Sequence, residues 1–210
     1  DVYKRQVHLA VGPGVFIPRP ETEVMVGWGL EQIADLAAPV VVDLCTGSGA
    51  IAKAIATEHP DARVHAVECD PGAAAWAARN LAGMGIDLRV GDVSHAVDDL
   101  IGLCDLVICN PPYVPLRIKD ALPAEVVEYD PEVALFSGED GLELLRVIAP
   151  LAGELLRPGG VVALEHAECH EFSVPEILHN TGQFTEVGGH ADLTGRPRFA
   201  TARRLTDSQR

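Results

Sequence analysis

The tetrapeptide Asn110-Pro111-Pro112-Tyr113 follows an apolar run, Asp105-Leu106-Val107-Ile108-Cys109. A side-chain amide oxygen followed by a backbone carbonyl in a ring-locked segment gives two hydrogen-bond acceptors in fixed relation. Such a pair suits one task above others. It can grip the N–H groups of a planar nitrogen so that a lone pair otherwise delocalised into a π-system faces an electrophile. Tyr113 can stack on or wall that planar group. No tuned general base is required, because the proton becomes acidic once the nitrogen has been alkylated. The plain alternative is a Pro-rich loop after a buried strand.

A second cluster supplies room for a ligand. Asp43-Leu44-Cys45-Thr46-Gly47-Ser48-Gly49 lies directly after the apolar run Val40–Leu44 and before a helix-like stretch. Gly47 and Gly49 permit a tight turn with a close backbone approach, and the helix start aims N–H groups at whatever sits there. The dinucleotide pattern GxGxxG is absent, and no Lys follows as a phosphate-binding loop requires. Glu68 closes the next apolar run, where a carboxylate can accept both ribose hydroxyls. Asp92, after the third, can accept from an adenine amino group. Any one of these acids alone reads as a solvated strand-end residue; together, after a Gly-rich turn, they fit an adenosine that carries a cationic sulfonium.

These segments resemble known ones. The Gly-rich turn is similar to the first motif of class I methyltransferases, with Cys45 standing where that pattern has its first Gly. Enzymes that methylate exocyclic amines of adenine or guanine carry tetrapeptides similar to residues 110–113, so this motif alone leaves the acceptor open. Phe16-Ile17-Pro18-Arg19-Pro20-Glu21-Thr22-Glu23 resembles the IPRPETE signature of the HemK/PrmC protein-glutamine methyltransferases. The stretch Asp130 to Leu142, Glu165, and Asp192-Leu193-Thr194-Gly195-Arg196-Pro197-Arg198 are similar to that family too. The likeness runs over roughly residues 7–205.

The resemblance implies methyl transfer from S-adenosyl-L-methionine to the N5 amide of the GGQ-loop glutamine in peptide chain release factors, with S-adenosyl-L-homocysteine as the other product. It implies catalytic roles for Asn110, Pro111 and Tyr113. It puts the cofactor on Asp43, Thr46, Gly47, Ser48, Gly49, Glu68, Cys69, Asp92, Val93 and Asn110. The substrate would meet Arg19, Pro20, Glu23, Asn110, Pro111, Pro112 and Tyr113, with the residue 18–23 segment folded over the site. For Arg19 a surface salt bridge is an equal reading. Family members carry a small helical domain ahead of this region, which the resemblance implies is missing here. Two rivals stay open: an N-methyltransferase acting on a nucleic-acid amine, and a fragment that binds the cofactor without turnover.

The elements that must hold these residues alternate between apolar runs and helical periodicity, the pattern of a parallel sheet covered by helices. Residues 7–17 read as a hairpin around Gly12-Pro13-Gly14. Helices are expected over residues 22–36, 50–57, 71–81, 141–156 and 173–180. Strands are expected over 40–44, 63–67, 87–90, 105–109, 161–164, 184–187 and 198–202, with Gly159-Gly160 as a turn into the fifth. Residues 111–140 read as a long irregular connection, a length usually kept for function. The expected fold is therefore a class I, Rossmann-like methyltransferase domain: a seven-stranded, mostly parallel sheet with helices on both faces, preceded by a β-hairpin. Residues 7–36 form its hairpin and lid helix, and residues 37–210 its catalytic part. The opening hexapeptide, residues 1–6, reads as adapter-derived rather than native.

Bulk composition narrows the partners. Of 210 residues, 48% are hydrophobic and 22% charged, enough for one substantial core. A net charge of −15 opposes long-range attraction to nucleic acid and favours a protein or small-molecule substrate. No apolar run is long enough to span a membrane. The five cysteines lack CxxC spacing and the eight histidines lack metal spacing, beyond a loose His166-x-x-x-His170, so no metal is expected. Reduced, mostly buried thiols, a cytoplasmic location and a monomeric state complete the expectation.

Overall fold

The computed structural model describes residues 2–4, 7–122, 130–206 and 208. Its centre is a seven-stranded sheet. Five strands run parallel: β3 (Val40–Leu44), β4 (Arg63–Glu68), β5 (Asp87–Val90), β6 (Cys104–Cys109) and β7 (Leu156–Glu165). At one edge β9 (Pro197–Arg204) pairs antiparallel with both β7 and β8 (Phe184–Ala191). The order across the sheet is β5-β4-β3-β6-β7-β9-β8. The chain reverses its direction of travel between β3 and β6, and a crevice opens beyond the carboxyl ends of those two strands.

Composition explains the layering. The run Val40-Val41-Val42-Asp43-Leu44 is buried on both faces, as a central parallel strand flanked by helices must be. On one face lie α1 (Thr22–Ile33), α2 (Ala50–Glu58) and α3 (Pro71–Leu81), which pack Met25, Ile33, Ile55 and Leu81 against Val41, Leu106 and Ile108. On the other, α5 (Glu143–Leu155) and α6 (Ser173–Asn180) pack Leu145, Ile148 and Leu178 against Val42, Val107 and Val162. Pro71 opens α3, and the Asp70 side chain accepts from the Ala73 N–H at 2.8 Å, so sequence alone fixes that helix start. On α1 a Cβ at Gly29 would meet Leu106 Cδ2 at 3.1 Å, so a small residue lets the helix lie close over β6.

Three expectations change. The hairpin read over residues 7–17 is displaced: β2 (Val7–Leu9) pairs antiparallel with β1 (Val2–Lys4), and residues 10–17 form no strand. Gly12-Pro13-Gly14 instead packs on α3. A Cβ at Gly12 would meet the Trp76 ring at 2.6 Å, and the Trp76 indole N–H donates to the Pro13 carbonyl at 3.3 Å. Gly159-Gly160 is not a turn into the fifth core strand but an irregularity within β7, which begins at Leu156. Arg157 pairs there with Asp105, and a Cβ at Gly160 would meet the Cys104 carbonyl at 2.9 Å. Of the five free thiols only Cys104 and Cys109 are buried, while Cys69 and Cys169 are exposed.

The long connection after β6 is stitched at both ends. Val114 bridges Phe136, with the Val114 N–H donating to Leu135 O at 2.7 Å and the Ser137 N–H to Val114 O at 3.2 Å. Between them lie a 3-10 segment (Leu116–Ala121) and a single helical turn, α4 (Glu132–Leu135). Residues 123–129 of that connection lie outside the described residues.

Candidate active site

The turn between β3 and α2 is built from its own carboxylates. Asp43 is fully buried, and its Oδ2 accepts from the Thr46 hydroxyl at 2.5 Å and the Ala52 N–H at 3.1 Å. It therefore ties the turn to the first turn of the helix. Burial raises the Asp43 carboxyl from 3.8 to about 7; the Thr46 and Ala52 bonds pull it down, and the Glu68 charge raises it further. Glu68 holds the outer side. Its Oε2 accepts from the Gly47 N–H at 2.8 Å and its Oε1 from the Asp70 N–H at 2.9 Å. Each carboxylate oxygen has a further lone pair, so Glu68 retains acceptor capacity toward the cleft it lines. Gly47 and Gly49 have φ of 57° and 82°, and Cys45 shares that left-handed region at 58°. The residue in place of a motif Gly thus keeps the Gly conformation.

At the end of β6 the Asn110 carboxamide is oriented from outside the motif. Its Nδ2 donates to Thr22 Oγ1, at the start of α1, at 3.3 Å. The side-chain oxygen is thereby left as an acceptor. Tyr113 donates its hydroxyl to Glu165 Oε1, at the end of β7, at 3.1 Å, and burial pushes that hydroxyl's pKa up. Glu165 is itself buried, and burial raises its carboxyl from 4.5 to about 7 against the opposing pull of Thr22, Tyr113 and Arg198.

The residue 16–23 segment is strapped across this region. The Arg19 Nη2 meets Asp130 Oδ2 at 2.6 Å, the Ile17 N–H donates to Asp130 Oδ1 at 3.3 Å, and the Arg19 guanidinium lies 4.9 Å from the Phe16 ring centroid. A cleft of about 650 Å³ lies beneath. Phe16, Thr46, Gly47, Glu68, Asn110 and Tyr113 all line it.

Most of the residues singled out in the sequence converge here. Arg19, Thr46, Gly47, Ser48, Glu68, Cys69, Asn110, Pro111, Pro112 and Tyr113 line the cleft. Asp43 and Gly49 lie beneath the turn and shape it. Asp92, whose Oδ1 accepts from the Ser94 N–H, and Val93, buried in the core, stand outside the lining, as do Pro20 and Glu23. Sequence reasoning missed Thr22 as a side chain, and it missed Asn80. Asn80 lies on the buried face of α3 among Ala73, Ala77 and Leu81, and a lone amide in that stripe was the available signal. It donates to Ser48 O at 2.8 Å and Ala10 O at 2.9 Å and accepts from the Ala10 N–H at 2.8 Å, joining the N-terminal segment to the turn. Gly141 was also missed. At φ 80°, a Cβ there would meet the Tyr113 carbonyl at 2.3 Å.

Sheet order and the Gly-rich turn at the carboxyl end of β3 define a class I methyltransferase fold. Residues 28–128 match the family model described as Methyltransferase small domain. The hMettl16 catalytic domain, solved in complex with MAT2A 3'UTR hairpin 6, superposes with a TM-score of 0.73 at 17% identity, covering 97% of this chain and 77% of that one. That likeness bears on the fold. Sequence relatives are nearer. The Release factor glutamine methyltransferase of Streptomyces coelicolor is 52% identical over 204 residues, 96% of this chain and 73% of that protein. Its counterpart in Mycolicibacterium smegmatis is 46% identical over 202 residues, 95% and 71% respectively. The chain belongs to the release factor glutamine methyltransferase family.

Proposed function

We propose that this protein transfers a methyl group from S-adenosyl-L-methionine to the side-chain amide nitrogen of the GGQ-loop glutamine in a peptide chain release factor. The observation that carries the reading is the Asn110 carboxamide, held through its nitrogen by Thr22 in a cleft that the Gly47–Glu68 turn also lines. Its free oxygen and the Pro111 carbonyl are the two acceptors that a primary amide's N–H groups require.

The cleft fits the cofactor. The turn is open above Gly47, where a Cβ would meet nothing within 4 Å, and Glu68 offers a spare acceptor for ribose hydroxyls. Thr46, Gly47, Glu68 and Cys69 would hold it. Its sulfonium supplies an activated methyl group. Asn110 and Pro111 bind the glutamine amide by its hydrogens and hold its lone pair toward that carbon, and Tyr113, anchored to Glu165, walls the amide plane. The Arg19–Asp130 pair ties the residue 16–23 segment over the same space. No side chain needs to remove the proton before attack. Among the described residues no helix is long and apolar enough to cross a membrane and no cluster could hold a metal ion, and the reaction calls for neither.

The test is to incubate the protein with methyl-labelled cofactor and either a release factor or nucleic acid, then locate the label by mass spectrometry. Label on the GGQ glutamine is the expected result. Label in nucleic acid alone, or tight cofactor binding with no label anywhere, contradicts the proposal.

A further inference from the structure

Behind the acceptor pair lies a buried carboxylate that the methyl-transfer reaction itself does not use. Glu165 sits at the carboxyl end of β7 with 1% of its surface exposed. Its Oε1 accepts from the Tyr113 hydroxyl at 3.1 Å, while its Oε2 has no partner among the described residues. The groups that face it are Glu21 and Thr22 from the start of α1, Tyr113 from the loop after β6, Cys109 from β6 and Arg198 from β9. The Thr22 hydroxyl lies near the same carboxyl and favours its ionised form, although no hydrogen bond between the two is closed in this structure. That hydroxyl is also the atom to which Asn110 Nδ2 donates at 3.3 Å. In order the groups are Asn110, Thr22, Glu165 and Tyr113, with hydrogen bonds closed between the first two and between the last two.

We propose that Glu165, acting through Thr22, is the positioning residue that decides which atom Asn110 presents to the substrate nitrogen. A hydroxyl has one proton to donate, and an ionised carboxylate can only accept. With Glu165 ionised, the Thr22 proton turns to the carboxylate and the Thr22 oxygen is left to accept. Only the nitrogen of the Asn110 carboxamide can donate to it, so the oxygen turns toward the substrate. With Glu165 protonated the direction reverses. The acid donates to Thr22, Thr22 donates to Asn110, and the carboxamide settles with its oxygen on Thr22 and its NH2 toward the substrate. Donor then faces donor, and the amide to be methylated loses one of its two acceptors. The carboxyl is balanced for this role: burial lifts it to about 7, so both forms are populated near neutrality.

This inference deepens the proposed function and rests on it for its kinetic consequence, but not for its structural one. The structural readout is the Asn110 side-chain 1H–15N pair in an NMR correlation spectrum, assigned by its loss in Asn110→Asp. In the wild-type protein that pair is expected to shift with a midpoint near 7. The transition should vanish in Glu165→Gln and Thr22→Val, persist in Thr22→Ser, and persist in Asp43→Asn, which removes the other carboxyl lifted to about 7. The adjacent His166 titrates below its ordinary 6.5 and so lies outside this window. In methyl-transfer assays the wild-type rate should fall below about pH 7. Glu165→Gln, whose amide can donate as the acid does, should be at least roughly tenfold slower at pH 8 with no such limb, and cofactor affinity should change by less than about twofold. Thr22→Ser should keep the wild-type profile. Asn110 resonances that stay fixed between about pH 6.5 and 8.5, or that titrate equally in Glu165→Gln, overturn the inference even if release factor is methylated. A clean Asn110 transition with no methylation of release factor at any pH leaves the positioning role standing and removes the proposed function instead.

Discussion

At the scale of single residues, the site depends on atoms held in unusual states rather than on unusual residue types. Cys45 is the clearest instance. A Cβ in the left-handed region costs about 1–2 kcal/mol, and Cys45 occupies it at φ 58° because the turn must leave β3 and enter α2 within a few residues. Cys45→Gly should therefore be at least as stable as the wild type in thermal unfolding. Cys45→Val, with a branched Cβ, should be less stable by about 1–2 kcal/mol. Equal melting temperatures for the two variants would mean that the turn relaxes elsewhere. Asp43 illustrates the converse: it is a support beneath the turn, with its Oδ2 spent on Thr46 and Ala52.

At the scale of elements, the chemistry is assembled from segments far apart in sequence. α1 contributes Thr22, β6 leads to Asn110, β7 ends in Glu165, and the segment after the long connection lays Gly141 against the backbone of Tyr113. Gly141→Ala would force a methyl into the Tyr113 carbonyl at 2.3 Å and the Pro115 nitrogen at 3.0 Å, at a φ of 80°. The loop at residues 111–115 must give way. The expected result is a methyl-transfer rate reduced by roughly 10²-fold, with cofactor affinity unchanged, because the Gly47 turn does not touch Gly141. An unchanged rate would show that the loop accommodates the methyl without moving Asn110.

The parallel strands were legible from sequence because central strands covered on both faces must be largely apolar runs, as Val40–Leu44 (broken only by Asp43) and Leu106–Cys109 are. Residues 110–113 were legible as cleft residues because a Pro-locked segment leaving a central strand must emerge at the carboxyl edge of the sheet. What stayed hidden depends on tertiary approach. Nothing local distinguishes Thr22 as a partner of Asn110 from Thr22 as the first residue of a helix. The pattern around Gly12-Pro13-Gly14 fits a hairpin equally well until Trp76 arrives from α3 to occupy the space. The chain from 156 to 160 looked like a turn because of its two glycines, of which Gly160 is needed for a close backbone approach to Cys104 and Gly159 for its φ of 80°.

At the scale of the whole molecule, two carboxyls lifted by burial tie stability to pH. Asp43 and Glu165 titrate near 7 when folded and at the ordinary 3.8 and 4.5 when unfolded. The folded state therefore binds more protons across that window. Stability from these groups is complete below the unfolded values and declines as pH rises through about 7. His166, His170 and His190, whose pKa values are depressed by burial, pull the other way until the unfolded chain has shed its histidine protons, about one unit above their ordinary 6.5. Asp140 and Asp192, held near 2, lose their contribution only in acid. In urea unfolding the Asp43→Asn, Glu165→Gln double variant should accordingly gain on the wild type by a few kcal/mol as pH rises from about 5 to 8, the gain levelling off above about 7. A difference between the two proteins that stays constant across this interval contradicts the assignment.

The central claim is that a carboxamide attacks only when two fixed oxygens hold its hydrogens, and that Asn110 supplies one of them. The most direct measurement is the single-turnover rate of methyl transfer to release factor by Asn110→Ala, read beside the affinity of the same variant for S-adenosyl-L-methionine. The account predicts a rate lowered by at least about 10²-fold with affinity within about twofold of wild type. A variant that transfers methyl at the wild-type rate, or that loses rate and cofactor binding in parallel, contradicts it.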